Sequence, residues 1–149
     1  MKIHLYFFLL LFLNCQSQTA KNNPVSPKLE IQFEDNFHYP YALTENKFLV
    51  IDTQDKMDKI YSIIHKKNGG RRLAPIPMVN DEETFIIIKP FLKNSNDVSV
   101  EKVTFSNETL YIKVKEFNNP NVDIANRNSP NIILKLLKKI PAKKIITQY

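Results

Sequence analysis

The stretch Ser99–Phe117, SVEKVTFSNETLYIKVKEF, carries the clearest secondary-structure pattern in the chain. Apolar and polar side chains alternate on both sides of a short polar segment, which is the period of a strand with one buried face. The pattern predicts a β-hairpin, with strands over Ser99–Phe105 and Thr109–Phe117 and a tight turn at 106–108. Lys113 and Lys115 should face solvent. The side chains expected in the core are Val103, Phe105, Leu110, Ile112 and Val114.

Strands are predicted in five further segments. Leu29–Glu34 alternates with period two, and 46–52 contains the run FLVI, which predicts a more fully buried strand. Thr84–Lys89 contains FIII and is stopped by Pro90, as expected of a central strand. The segment 131–140, NIILKLLKKI, fits a helix or a strand by periodicity, and its β-branched residues and neighbouring prolines favour a strand over 132–137. The last predicted strand is 143–148.

One amphipathic helix follows the second strand. Met57, Ile60, Tyr61 and Ile64 recur at helical spacing, behind a side-chain oxygen of Asp52 or Thr53 that can cap the helix. The helix should end at Asn68 and Gly69. One helix among about seven strands predicts an α+β, mostly β fold: an antiparallel β-sandwich or half-open barrel with the helix covering one end.

The N-terminus has the layout of a secretory signal peptide. Lys2 precedes an apolar run, Ile3–Leu13, that is too short to span a bilayer as a helix and ends just before Cys15, the chain's single cysteine. We predict that residues 1–14 are a signal peptide and that Cys15 becomes a lipid-modified N-terminus. Phe12, Leu13 and Asn14 depart from the usual lipobox, which has leucine followed by two small residues, and simple secretion without a lipid is the alternative.

A polar, proline-containing segment, 15–28, predicts a flexible spacer that carries the lipid anchor. A single domain of mostly β structure then occupies 29–149. The formal net charge of +6 predicts attraction to anionic surfaces. In an exported protein these are lipid head groups or an acidic protein, and nucleic acid is not an expected partner. Gln16 and Ser17 after the anchor favour the outer membrane over the inner one, in a periplasmic or surface-exposed position.

Residues suited to catalysis are scarce. The chain has two glycines, which excludes the Walker and dinucleotide-binding loops. His38 is interpreted as a packing residue, His65 as a solvated residue at the helix end, and the acidic run 81–83 as a solvated turn. The serines lack a glycine-flanked nucleophile turn, and no spacing of metal ligands occurs. We therefore expect no enzyme, no metal site and no cofactor.

Two sets of residues are candidates for binding a partner. Phe37, Tyr39 and Tyr41 flank Pro40 and could form an adhesive patch, with core packing of a loop as the alternative. Basic residues form the second set, with the alternative that lysines keep an exposed strand edge soluble. The members singled out are Arg71, Arg72, Lys138 and Lys139.

The order of these parts resembles a known family. From Phe48 onward the chain is similar to the C-terminal domain of the PrcB-like protease complex subunits, through KFLVID, TQDKMDKIYSII, LAPIPMVNDEE, TFIIIKP, the hairpin and SPNIILKLLKKIPAKKI. The family often has a Gly-Gly-Tyr step before the hairpin, where this chain has LKNSNDVSV. The resemblance implies a non-catalytic lipoprotein that stabilises or scaffolds an extracellular protease or similar complex, without a cofactor.

The sequence thus predicts a bacterial cell-envelope lipoprotein with an accessory domain that binds and stabilises a partner protein, with an exported protease complex as one candidate. Burial of an apolar patch or strand edge would bind the partner, and the basic surface would guide encounter. The alternative is an envelope carrier of a small apolar or anionic ligand held in the mouth of a half-open barrel.

Overall fold

A computed structural model describes residues 27–69, 73–121 and 130–149. The predicted signal peptide, Cys15, most of the predicted spacer, Arg71 and Arg72 lie outside these ranges. The described part of the chain is mostly β, with 42% of its residues in strands and 13% in helix. The described elements are β1 Leu29–Glu30, β2 Phe33–Tyr39, β3 Phe48–Ile51, α1 Gln54–Lys67, β4 Thr84–Ile88, β5 Asp97–Ser106, β6 Thr109–Phe117, β7 Asn131–Leu136 and β8 Lys144–Gln148.

The strands form two four-stranded sheets that pack face to face. The first sheet has the order β1-β5-β6-β8 and the second has the order β2-β7-β4-β3. All pairs are antiparallel except β6 with β8, which are parallel. The predicted mostly β fold with one covering helix is confirmed, in the form of a sandwich.

The predicted strand Leu29–Glu34 is two strands in the structure. The Ile31 amide donates to Val103 O in the first sheet at 2.9 Å, and the Leu137 amide donates to Gln32 O in the second sheet at 2.9 Å. The chain therefore changes sheets between residues 31 and 32 while its side chains keep alternating. Because alternation depends on burial and not on the identity of the pairing strand, the sequence does not reveal such a crossing.

The hairpin is confirmed. Asn107 and Glu108 have positive φ angles of 49° and 57°, the conformation of a two-residue type I′ turn, whose twist matches that of the flanking strands. Val103, Leu110, Ile112 and Val114 lie in the core between the sheets, and Phe105 is partly buried against it.

The helix begins and ends as predicted. Thr53 caps it by accepting from the Lys56 amide, and Gly69 follows with a φ of 68°. Its buried face contains Met57, Ile60, Tyr61 and Ile64.

The position of the helix differs from the prediction, because it covers the outer face of the second sheet and not one end of the fold. The reason is that β4 and β7 are apolar on both faces. Phe85, Ile87 and Ile133 point towards α1. The residues that alternate with them along the two strands point towards the first sheet: Ile86, Ile88, Ile132 and Leu134. The molecule therefore has three layers: first sheet, second sheet and helix.

β3 and β4, predicted as a more fully buried strand and a central strand, differ in burial. β4 is buried at every position and lies between β7 and β3, as expected of a central strand. β3 was predicted to be more fully buried, but it is the edge strand of the sheet, where Ile51 is buried and Phe48 is 36% exposed. A short run of four apolar residues does not distinguish a central strand from an edge strand.

Candidate functional site

An apolar groove runs beside α1 on the outer face of the second sheet. It has a volume of about 290 Å³. Its floor is formed by buried side chains, and its exposed wall by Phe37 and Met78, which are 48% and 80% exposed. The apolar lining consists of Phe37, Tyr61, Pro77, Met78, Phe85 and Ile133.

A β-bulge in β2 turns Phe37 into this groove. The register with β7 shifts between Asp35 and Phe37, so that Glu34 is opposite Lys135 and Phe37 is opposite Ile133. In a regular strand, residues 34 and 37 would lie on opposite faces. The extra residue at position 36 lets both face the groove.

Charged side chains form the rim of the groove. The Lys135 ammonium lies 2.7 Å from a Glu83 carboxylate oxygen and 3.8 Å from one of Glu34. The hydrogen bond with Glu83 raises the pKa of Lys135. Two carboxylates surround one lysine, so the rim has an excess of negative charge although the chain as a whole is basic.

The structure separates the aromatic residues that were candidates for partner binding. Phe37 lines the groove, whereas Tyr39 and Tyr41 contact each other, with ring centroids 5.6 Å apart, and pack against the core under α1. Burial raises the pKa of Tyr39 to about 12. Tyr39 and Tyr41 thus follow the core-packing alternative, and Phe37 remains exposed.

Lys138 and Lys139 are exposed just beyond the C-terminal end of β7. Tyr39 pairs with the other end of β7, at Asn131, so the two lysines lie far from it along the sheet. The Lys139 ammonium lies 3.5 Å from Asn80 O and 3.8 Å from an Asp81 carboxylate oxygen. The predicted solvated acidic turn is therefore next to the predicted basic patch. The two lysines and the aromatic residues do not form one surface.

His38 lies between two carboxylates at the seam between the sheets. Its Nδ1 is 2.8 Å from an Asp97 oxygen and its Nε2 is 2.7 Å from an Asp35 oxygen. The side chains are 23% exposed for His38, 13% for Asp35 and 4% for Asp97. The same β-bulge produces this Asp35–His38–Asp97 cluster, because it makes Asp35 and His38, three residues apart, both face the first sheet.

The cluster also provides a hydrogen-bond acceptor along the edge of β5 that β1 does not cover. β1 pairs with Thr104 and Phe105 at one end of β5. Farther along the same edge, the Val100 amide donates to the second Asp35 oxygen at 3.0 Å. The Asn119 side-chain amide donates to Asp97 at 2.8 Å.

Both ring nitrogens of His38 are engaged, and the hydrogen bond with Asp35 is the main cause that raises its pKa to about 9. A carboxylate oxygen beside each ring nitrogen favours the imidazolium form of His38, which has no free lone pair. The contacts of His38 are thus ionic, which refines the packing interpretation. The sequence carries no signal for it, since neither the bulge nor the approach of Asp97 can be inferred from residue spacing.

His65 differs from the solvated residue that was predicted. Its Nε2 lies 2.8 Å from Ala74 O, and its ring contacts Tyr61 edge to face at 6.0 Å between centroids. The side chain is therefore half-buried and holds the segment after α1 against the helix.

A second cavity, of about 530 Å³, lies on the open side of the sandwich. The chain crosses between the sheets at β1 and β2, and β3 and β8 are the edge strands on the opposite side. Aromatic and aliphatic side chains line this edge cavity together with two lysines, Glu45 and Thr147. The lining includes Lys47, Phe48, Lys89, Phe91, Ile145 and Tyr149.

No protein-family model, curated protein or solved structure matches the chain. The resemblance to the PrcB-like subunits therefore stays a prediction. Among the described residues, no group of His, Cys, Asp and Glu side chains is arranged to hold a metal ion. In those same ranges, no helix has the length and apolar character needed to cross a membrane.

Proposed function

We propose that the chain is a lipid-anchored protein of a bacterial cell envelope whose β-domain binds and stabilises a partner protein. The position of Cys15 two residues after an apolar run supports the anchor. The apolar groove is the observation that carries the binding function. An exported protease complex is the partner that the resemblance to the PrcB-like subunits implies.

The groove suits a protein side chain better than a separate small molecule. Its volume of about 290 Å³ is at the lower limit of small-molecule pockets, which is about 300 Å³, and its wall of Phe37 and Met78 is exposed. Met78 adds a flexible, polarizable wall that can adapt to a partner. Because the rim is negative, the occupant we propose is a large apolar side chain with a lysine or arginine beside it.

The Asp35–His38–Asp97 cluster supports a non-catalytic role. The imidazole most suited to acid–base chemistry is held as an imidazolium by two carboxylates. The function proposed for the domain is therefore contact, with the groove as its centre.

Photocrosslinking in the intact envelope tests this proposal. A photoreactive amino acid at Met78 should give one discrete adduct with a protein, and adding Phe37→Glu should abolish the adduct. The same photoreactive residue at Ser62, exposed on α1, is the control and should give no adduct. Equal adducts from both positions, or an adduct that persists with Phe37→Glu, would contradict groove binding.

The anchor has its own test. Labelled palmitate should be incorporated into the exported chain and lost with Cys15→Ala. Incorporation that survives Cys15→Ala would refute the assignment of the anchor to this residue.

The edge cavity favours the carrier alternative as a second candidate function. Its volume lies within the range of small-molecule pockets, and its lysines and aromatic residues suit an apolar or anionic ligand. Native mass spectrometry of the purified protein discriminates between the two. A carrier should retain a ligand that Phe91→Glu displaces and Phe37→Glu does not.

A further inference from the structure

The outer face of the first sheet is rich in lysine. Along β5, β6 and β8 the side chains alternate, and those next to the core residues Val103, Val114 and Ile145 point away from the second sheet. The Lys28 ammonium joins this surface, 5.0 Å from the centroid of the Tyr111 ring. We call this surface the cationic face; its lysines are Lys28, Lys102, Lys113, Lys115 and Lys144.

Two glutamates neutralise part of the cationic face. Glu30 lies 2.7 Å from Lys102, and Glu101 lies 2.9 Å from Lys113. The Lys143–Glu108 pair at the hairpin turn adds no net charge. Three lysine charges remain in excess on this face. The described ranges together contain 16 lysines and 14 acidic residues, so the net positive charge of these ranges is concentrated on the cationic face.

The described chain begins on this side. Lys28 leads directly into β1, at the edge of the first sheet. The stretch from Cys15 to Pro27 can span at most about 40 Å, because an extended chain covers roughly 3.4 Å per residue. A lipid on Cys15 therefore keeps the domain within that distance of the bilayer, and the domain side nearest the attachment point is the cationic face.

We propose that the cationic face lies against an anionic lipid surface. This inference rests on the proposed anchor, and it assigns an orientation that the anchor alone does not. The helix layer and the apolar groove are on the opposite side of the sandwich, so the groove would face away from the membrane, towards its protein partner. Tyr111 suits the boundary between lipid head groups and water.

The expected strength of the attraction is modest. A lysine near an anionic membrane surface tightens binding about fivefold, and the effect decays within a Debye length of about 8 Å at physiological salt. The three excess lysines should together contribute about a hundredfold, which is enough to orient a tethered domain.

Vesicle binding by the mature chain, residues 15–149 with Cys15→Ser, tests the inference without the lipid. Vesicles of 30% phosphatidylglycerol in phosphatidylcholine should bind the protein about a hundredfold more tightly than pure phosphatidylcholine. Lys28→Gln, Lys115→Gln and Lys144→Gln together should weaken this binding about a hundredfold. The matched control, which removes the same charge from α1, is Lys59→Gln, Lys66→Gln and Lys67→Gln, and it should change binding less than threefold. Circular dichroism checks that all variants are folded.

Equal binding to the two kinds of vesicle would overturn the inference. So would equal weakening by the two triple variants, because net charge and not a particular face would then govern binding. Neither result depends on acylation of Cys15 or on the groove, so failure of the orientation and failure of the proposed function can be told apart.

Discussion

His38 on β2 connects the two sheets through its contact with Asp97 on β5, and it also pairs with Asp35 on its own strand. Removing the imidazolium would leave two carboxylates, 13% and 4% exposed, without their cation. Breaking a buried ion pair from one side costs more than the pair contributes, because the remaining charge stays desolvated. The cluster therefore makes the seam between the sheets sensitive to the charge of a single residue.

We predict that stability falls as the pH rises from 6.5 to 9. The folded-state pKa of His38 is about 9, above the value of about 6.5 in an unfolded chain. A raised pKa stabilises the folded state fully below pH 6.5, and the contribution is lost as the pH rises through 9. Allowing for solvent screening of the partly exposed ring, the loss should be about 2 kcal/mol.

Urea unfolding at intervals from pH 6 to 10 measures this effect, with His38→Gln as the control. The variant should be less stable at pH 6 and should lose less stability across the window. Parallel curves for the two proteins would show that the Asp35–His38–Asp97 cluster does not control the alkaline limit.

At the scale of the elements, the turn of the β5–β6 hairpin contains an energetically unfavourable backbone conformation. Glu108 has a φ of 57°, a left-handed conformation that costs a residue with a Cβ about 1 kcal/mol or more. Its carbonyl accepts from the amides of Lys143 and Lys144, and its carboxylate lies 2.7 Å from the Lys143 ammonium. Contacts with the segment leading into β8 thus accompany the strained turn.

We expect Glu108→Gly to be more stable than Glu108→Ala by about 0.5 to 1 kcal/mol. Both variants lose the exposed ion pair, which contributes little to stability. The difference between them therefore equals the cost of the left-handed backbone conformation for alanine, reduced by the larger conformational entropy that glycine loses on folding. Thermal unfolding of the two variants measures it. Equal stability would mean that the turn relaxes away from the left-handed region.

The N-terminus of α1 gives a second test at this scale. The Thr53 hydroxyl accepts from the Lys56 amide at 3.3 Å. Thr53→Ala should lower the free energy of unfolding by about 1 kcal/mol, whereas Thr53→Ser, which keeps the hydroxyl, should lower it by a few tenths. Chemical denaturation provides the measurement. A similar loss in both variants would place the effect in packing of the threonine methyl.

At the scale of the whole molecule, the second sheet is the middle layer. One face packs against the first sheet and the other against α1, and β4 and β7 each have a strand on both sides. The first sheet has one buried face and a solvated, cationic one. This asymmetry leaves one side for the groove and the other for the proposed lipid surface.

Hydrogen exchange should follow this layering. The amides of β4 and β7 should exchange slowest, at rates set by global unfolding, and those of the edge strands β3 and β8 should exchange faster through local opening. Amide exchange followed by NMR measures each strand separately. Protection of β3 equal to that of β4 would contradict the assignment of β3 as an exposed edge.

Local pattern predicted most of the elements, for reasons that particular residues make clear. The alternation from Val103 to Val114 is visible because one face of the hairpin is buried and the other solvated. The spacing from Met57 to Ile64 is visible because a single face of α1 is buried. Pairing left no such pattern: the crossing at Ile31 and the edge position of β3 depend on hydrogen-bond partners far away in the chain.

The candidate site likewise combines residues that the local sequence suggested with contacts that only the tertiary structure shows. The sequence named Phe37 as a candidate for partner binding, with core packing as the alternative, but its groove is completed by residues from separate elements: Tyr61, Met78, Phe85 and Ile133. The Asp35–His38–Asp97 cluster depends on a bulge and on a carboxylate 59 residues away.

The sequence by itself determined the mostly β class, the hairpin, the capped helix and the basic charge, because each follows from side chains close together in the chain. Only the tertiary structure decided which strands pair, which face the helix covers, where the groove lies and how His38 is held. These features depend on contacts between segments that are distant in the chain, and such contacts leave no pattern in the local sequence.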